Sequence, residues 1–363
     1  MTRNRYLAQI DWLIFTITLL LALVGISCIY SATHTFELAF YHKQLYWLFI
    51  GLVVIVPVLV IDYLILERFA YVIYGLSLIT LLFALFFGKT MGGAQRWISL
   101  GFISFQPSEF AKVAFVIALA RNLSSKQVGP RGMGWKELMV PAVLVLLPFL
   151  LVAKQPDLGT ALIFLFIFSS MILISKVRFS TLISLAAAFA AMVPVGWWSL
   201  KSYQRARLLS FLDPTMDPLG SGYHTLQSKI AIGSGGFFGK GFTQGTQGSL
   251  MFLPAHHTDF IFPILAEEWG FVGSVAVLAL FLILIMRGID TAANSKDRFG
   301  FLLAFGITSM LFWHVVINIG MIMGFLPVVG VPLPFLSYGG SFLLTMLIGI
   351  GLLMNIRMRR YIF

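Results

Sequence analysis

An apolar run of about twenty residues recurs from one end of this chain to the other, and it leaves little choice of architecture. A hydrocarbon layer is about 30 Å thick, and a helix of about 20 residues crosses it with every backbone polar group satisfied internally. Of the 363 residues, 59% are hydrophobic and 11% charged, whereas soluble domains carry about 25% charge. The sequence therefore predicts an all-α polytopic membrane protein, with residues 1–363 forming a single transmembrane domain. Arg3 and Arg5 precede the first run as in a signal peptide. The many similar runs that follow make it an uncleaved first span. The lone cysteine, Cys28, lies inside that run; it excludes an intrachain disulfide and reads as a core thiol.

About ten spans fit: 12–31, 45–62, 69–87, Pro107 to about Arg121, 138–153, 158–175, 179–198, 261–286, 299–320 and 340–356. With the N-terminus inside, Arg68, Arg121, Lys126, Arg131, Lys136, Lys176, Arg178, Arg287, Lys296, Arg298, Arg357, Arg359 and Arg360 fall on the cytoplasmic side. The short outer loops hold only Lys43, Lys89, Arg96 and Lys154. The positive-inside rule then places both termini in the cytoplasm and Asp259 outside. A long extracytoplasmic loop, 199–260, separates spans seven and eight. The net charge of +11 follows first from the basic cytoplasmic loops. An anionic lipid or diphosphate ligand is a second contributor, and nucleic acid is not an expected partner.

Several polar stretches predict local structure. Residues 88–107 read as a polar re-entry. Pro107 and Glu109 suit the first turn of span four. Tyr223–Ile232 reads as a short amphipathic helix on the membrane surface. The glycines after it would let backbone approach a ligand. Within them, GSGGFFGKG imitates a phosphate loop, but Gly241 stands where a serine or threonine is required. Gly330–Gly340 reads as a rigid hairpin in the mouth of the bundle.

The chemistry concentrates in Leu250–Gly273, where a loop runs through Asp259 into span eight and on to Glu267 and Glu268. Ionisable groups at such a place are costly unless paired or hydrated. Asp259 is a candidate general base; alternatively, Thr258 or Asp259 caps span eight. Glu109 and Lys112 share one face of span four, either as a structural ion pair or bordering a site. Arg96 suits bidentate contact with a diphosphate, or a lipid headgroup. Lys89, Lys229, Lys240, His257 and Thr258 are further candidate substrate contacts. Asp157 reads first as a helix cap. His314 and Asn318, four apart in span nine, read as a helix–helix hydrogen bond. His256 and His257 beside Asp259 suggest zinc, but adjacent histidines on a short loop point apart and a third spaced ligand is not evident.

Five segments, GAQRWISLGFISFQPSEFAK, KQPDLGT, DPLGSGYHTLQSKIAIGSGGFFGKG, FLPAHHTDFIFPILAEEWGFVG and LPVVGVPLPFLSYGGS, lie in this order along nearly the whole chain. In them the chain resembles the SEDS family (shape, elongation, division and sporulation), and within it the RodA-like, elongation branch. The resemblance implies ten transmembrane helices and a peptidoglycan glycosyltransferase of the inner membrane that polymerises lipid II. It puts the essential aspartate on Asp259, the fourth-span pair on Glu109 and Lys112, and the outer-motif arginine on Arg96. It implies a class B penicillin-binding protein (the transpeptidase), other elongation-complex membrane proteins, lipid II and nascent glycan as partners. No organic cofactor is expected; on chemical grounds a divalent cation such as Mg2+ could assist departure of the diphosphate, with Asp259 as its candidate ligand. A lipid II flippase and a non-catalytic scaffold of the elongation complex remain alternatives. The lipid tails should enter by a lateral groove near spans four and eight.

Overall fold

The computed structural model describes residues 10–33, 40–91, 94–100, 103–126, 132–212, 221–245 and 258–360. Three helices come first, α1 (Trp12–Thr33), α2 (Phe40–Val60) and α3 (Tyr63–Phe87). Strands β1 (Lys89–Met91), β2 (Ala94–Leu100) and β3 (Ile103–Phe105) follow. Next are α4 (Pro107–Ser124), α5 (Trp135–Lys154), α6 (Leu158–Ile174) and α7 (Phe179–Ser199). Two short helices, α8 (Ser202–Leu212) and α9 (Ser221–Ser234), precede the last three, α10 (Ile261–Ala293), α11 (Arg298–Ile322) and α12 (Gly340–Arg359).

The spans fall where the apolar runs predict them. Among the described residues, seven helices are long and apolar enough to cross a membrane, and Leu158–Ile174 and Phe179–Met192 are shorter apolar helices. The fourth span, α4, carries Glu109, Lys112 and Arg121 and is almost wholly buried. It can hold those charges because α3, α5, α6, α11 and α12 surround it. With it, α11 and α12 form the centre: 72% and 83% of their most apolar windows are buried, against 22% for α2 and α3. The peripheral helices turn residues such as Phe49, Val56, Phe86 and Phe179 outward, as lipid-facing helices do.

Some boundaries shift for local reasons. Asp62 caps α3 by accepting from Leu64 N at 3.0 Å, so Glu67 and Arg68 lie within a helix rather than a turn. Glu67 then pairs with Arg121 of α4 at 2.6 Å. The expected re-entry is instead a small antiparallel sheet in the order β1-β2-β3, with Thr90 opposite Gln95 and Ser99 opposite Ser104. Ile98, Ile103 and Phe105 supply its strand-forming residues. The hairpin at 323–339 packs into the bundle, with Phe335, Leu336 and Ser337 buried. Gln44 of α2 clamps it, donating to the Ser337 carbonyl and accepting from Gly339 N, each at 3.2 Å.

The amphipathic helix expected at Tyr223–Ile232 forms as α9, but it packs on α8, α10 and α11. Beyond it, Gly235 and Gly239 lie against the backbone of α10, at the carbonyls of Ala266 and Glu268. α10 is broken at Gly270, where φ is 65° and ψ −160°. Lys240 N and Gly241 N donate to the carbonyls of Glu267 and Glu268 at 2.9 and 3.0 Å. Phe271 N and Val272 N donate in turn to the carbonyls of Gly236 and Phe237 at 2.9 and 3.2 Å. The glycine segment thus takes up the hydrogen bonds that the break releases. A Cβ on Gly239 would stand 2.1 Å from the Glu268 carbonyl oxygen, so only glycine fits there.

An apolar groove of about 380 Å³ opens between α2, α3, α4 and α12, lined in part by Val58, Leu76, Phe105, Phe110, Val113 and Leu352. It runs along α4, one of the two spans near which a lateral groove is expected. The eighth span, α10, packs on α1 and α11.

Candidate active site

Helices α4, α6 and α10 begin beside one another at one face of the bundle, and β2 lies beside them. Helix N-termini carry partial positive charge and unsatisfied N–H groups, so their convergence favours anionic groups. Asp157 is the cap of α6, accepting from Thr160 N at 3.3 Å. The same carboxylate takes Arg96 Nη1 at 2.6 Å and Gln106 Nε2 at 3.3 Å. Asp157 is therefore both the predicted cap and the anchor of Arg96. Arg96 keeps 28% of its side chain exposed, and its Nε has no partner among the described residues. Burial opposes its charge, but Asp157, Asp259 and Glu109 outweigh that and raise its pKa.

Asp259 lies in the turn before α10. Phe260 occupies the cap position of that helix, without a side-chain cap bond, so the cap reading of Thr258 and Asp259 does not hold. The turn is fastened from outside: Asn318 Nδ2 donates to the Asp259 carbonyl at 2.9 Å, and Ser337 Oγ to the Thr258 carbonyl at 2.6 Å. The residue keeps some accessible surface, but its carboxyl is desolvated, and this pushes its pKa up to about 6. Arg96 opposes the rise, Asp157 adds to it, and Arg207 and a hydrogen bond from Thr258 oppose it further.

Deeper in α4, Lys112 Nζ stands 2.7 Å from Glu109 Oε2. It also stands 2.8 Å from His314 Nε2, whose ring Nδ1 lies 2.7 Å from the Met310 carbonyl. A carbonyl only accepts, so Nδ1 carries the proton and Nε2 accepts from the lysine. The Glu109–Lys112 pair is thus extended onto α11.

The structure brings Asp259 and Glu109 each within electrostatic reach of Arg96, with Lys112 bound to Glu109 and Thr258 in the Asp259 turn. The other candidate lysines have different surroundings. Lys89 is exposed in β1, opposite Trp97. Lys240 pairs with buried Glu267 at 2.6 Å. Lys229 lies over the turn at Gly324. His257, with His256, lies outside the described residues. Sequence reasoning did not single out Gln106, Arg207 or Ser337, and it assigned Asp157 and Asn318 other work. The QPDLG and SFQPSE motifs carried the signal for Gln106 and Asp157, but the juxtaposition is tertiary. Among the described residues, no three His, Cys, Asp or Glu side chains cluster as a metal cage. Asp259 would offer Mg2+ one carboxylate, as suits an ion that otherwise keeps water and phosphate oxygens.

Fold and site together define a polytopic helical membrane protein with a carboxylate–guanidinium centre where three helices begin. Residues 9–362 match the cell cycle protein family named for FtsW, RodA and SpoVE, and the chain belongs to that family. It is 45% identical over 311 residues to the peptidoglycan glycosyltransferase MrdB of Escherichia coli (strain K12), covering 85% of this chain and 83% of that one. Its fold is similar to a chain of a peptidoglycan synthase complex that coordinates polymerization and crosslinking, with a TM-score of 0.83, 32% identity and coverage of 98% and 99%. It is also similar to the rod shape determining protein RodA of Thermus thermophilus, with a TM-score of 0.73, 29% identity and coverage of 97% and 98%.

Proposed function

We propose that this protein is a peptidoglycan glycosyltransferase of the cell-elongation machinery, which polymerises lipid II at the outer face of the cytoplasmic membrane with Asp259 as general base. The observation that carries the assignment of Asp259 is its place: a desolvated carboxyl facing Arg96, where the N-termini of α4, α6 and α10 converge. An acceptor sugar hydroxyl attacks the anomeric carbon of the donor, its proton passes to Asp259, and the bond to the lipid diphosphate breaks with inversion. A carboxylate whose pKa is raised to about 6 is a stronger base than an ordinary one and is still mostly ionised at neutral pH. Arg96, whose Nε has no partner among the described residues, and the helix N-termini stabilise the departing diphosphate. Asp157 and Gln106 hold that arginine in place. Mg2+ held at Asp259 would supply further charge neutralisation to the diphosphate.

The apolar groove suits the prenyl chain of such a substrate. Phe105 and Phe110 line it, and the intervening Gln106 contacts Asp157, so a tail in the groove leaves its headgroup near Arg96. A class B penicillin-binding protein is the partner, and both termini are cytoplasmic. The test is polymerisation of purified lipid II by the chain co-purified with its transpeptidase, with an inhibitor control against contaminating polymerases. Asp259→Ala should make no glycan while keeping its fold and partner. Normal polymer from that variant would remove Asp259 from the chemistry.

A further inference from the structure

Asn318 is fully buried on α11, and its contacts are not those of a helix–helix hydrogen bond. Its Nδ2 donates to two carbonyls outside any helix, that of Asp259 at 2.9 Å and that of Val331 at 2.7 Å. Both partners only accept, so the amide orientation is unambiguous: the two N–H groups face the two carbonyls. The Oδ1 atom is left without a partner among the described residues. A buried amide kept with its acceptor unmet is held for its donors. One turn earlier on the same face, His314 accepts from Lys112. A single face of α11 therefore grips both the Glu109–Lys112 pair and the turn that carries Asp259.

The second grip closes from the hairpin. Ser337 Oγ accepts from Leu333 N at 2.8 Å and donates to the Thr258 carbonyl at 2.6 Å. Gly330, at φ +71°, lies against the carboxylate itself: a Cβ there would stand 3.2 Å from Asp259 Oδ2. The Asp259 turn is thus held by its backbone between α11 and the 323–339 segment. A residue without a cap bond to its own helix needs such outside fixing.

We propose that Asn318 is a positioning residue for the glycosyl transfer: by fastening the Asp259 and Val331 carbonyls to each other, it sets where the Asp259 carboxylate points relative to Arg96 and the incoming hydroxyl. It touches no reacting atom. The inference rests on the reading of Asp259 as the base. Ser337 acts from the other side through the Thr258 carbonyl.

The experiment compares the wild-type complex with its transpeptidase against Asn318→Ala, Asn318→Ser, Ser337→Ala and Asp259→Asn. Rates are measured over a range of lipid II concentrations, and thermal unfolding is followed on the same preparations. A misplaced base costs turnover more than binding, so Asn318→Ala should lower kcat about 10- to 100-fold with KM within about 2-fold. Asn318→Ser, with one donor, should fall between Ala and wild type, and Ser337→Ala should lower kcat in the same sense. A purely structural amide would lower the melting temperature and leave kcat per folded complex unchanged, and that result overturns the proposal. If Asn318→Ala does not fold, the Ser variant decides on the same criterion. An inactive Asp259→Asn beside fully active Asn318 variants sinks this inference alone. An active Asp259→Asn sinks the reading of the base on which it rests.

Discussion

Asp259 titrates where its surroundings place it, and two consequences follow at the scale of the residue. If it is the base, the rate should fall as pH drops through about 6, and a pH–rate profile of the purified complex checks this. Its folded pKa lies above the unfolded value, so the native state binds this proton more tightly. Stability from this group is complete below the ordinary carboxylate range near 3.9 and declines as pH rises through about 6. Asp259→Asn should therefore raise the melting temperature at pH 7.5, and the gain should shrink towards pH 4. The variant would be inactive and more stable, as expected where a site keeps a strained charge for chemistry. Equal melting temperatures at both pH values would contradict the desolvation argument. The sequence showed this aspartate at a helix mouth. It did not show the residues whose charges set its pKa, because Arg96, Asp157 and Arg207 come from three distant segments.

At the scale of the element, the break in α10 makes its own prediction. Gly270 leaves the helical region, and the segment from Gly235 to Gly241 supplies the replacement hydrogen bonds. Gly239 has φ +84°, and its missing Cβ faces backbone. Gly239→Ala should cost at least about 2 kcal/mol, since left-handed strain and a backbone clash act together. Gly233 has open space around it in α9, so Gly233→Ala should be neutral or slightly stabilising. Thermal unfolding of both variants in detergent separates this specific docking from a general need for a flexible loop. The glycine pattern was plain in the sequence, but its partner was not. A glycine-rich stretch announces close approach and is silent on what approaches.

For the whole molecule, the pairing of faces can be tested directly. Cys28 is fully buried, so the natural chain offers little background to thiol reagents. Phe238 is exposed on the glycine segment, and Met286 is exposed far along α10 from Asp259. A cysteine at Phe238 should be labelled by a membrane-impermeant maleimide in intact cells with the outer membrane permeabilised. Ala293→Cys, exposed at the end of α10, should be labelled only after the inner membrane is opened. The reverse pattern would invert the orientation that the basic loops imply. At the face opposite the site, Arg357 pairs with Asp11 at 2.8 Å and Asp290 at 2.5 Å, and Arg359 with Asp62 at 3.2 Å. These pairs tie together the ends of α1, α10, α12 and α2, so that face is closed by ion pairs.

What the sequence determined alone is what depends on local composition. Apolar length set the spans, Pro107 marked the start of span four, and the order of the motifs identified the family. Glu109 and Lys112 were legible as a pair because a helix brings residues three apart onto one face. The tertiary structure alone decided that Lys112 reaches His314, that Asp157 holds Arg96, and that Asn318 and Ser337 fasten the Asp259 turn. It also placed an apolar groove between α2, α3, α4 and α12. These contacts join segments tens to hundreds of residues apart, and a helical period read along one segment carries no information about which face of another will meet it.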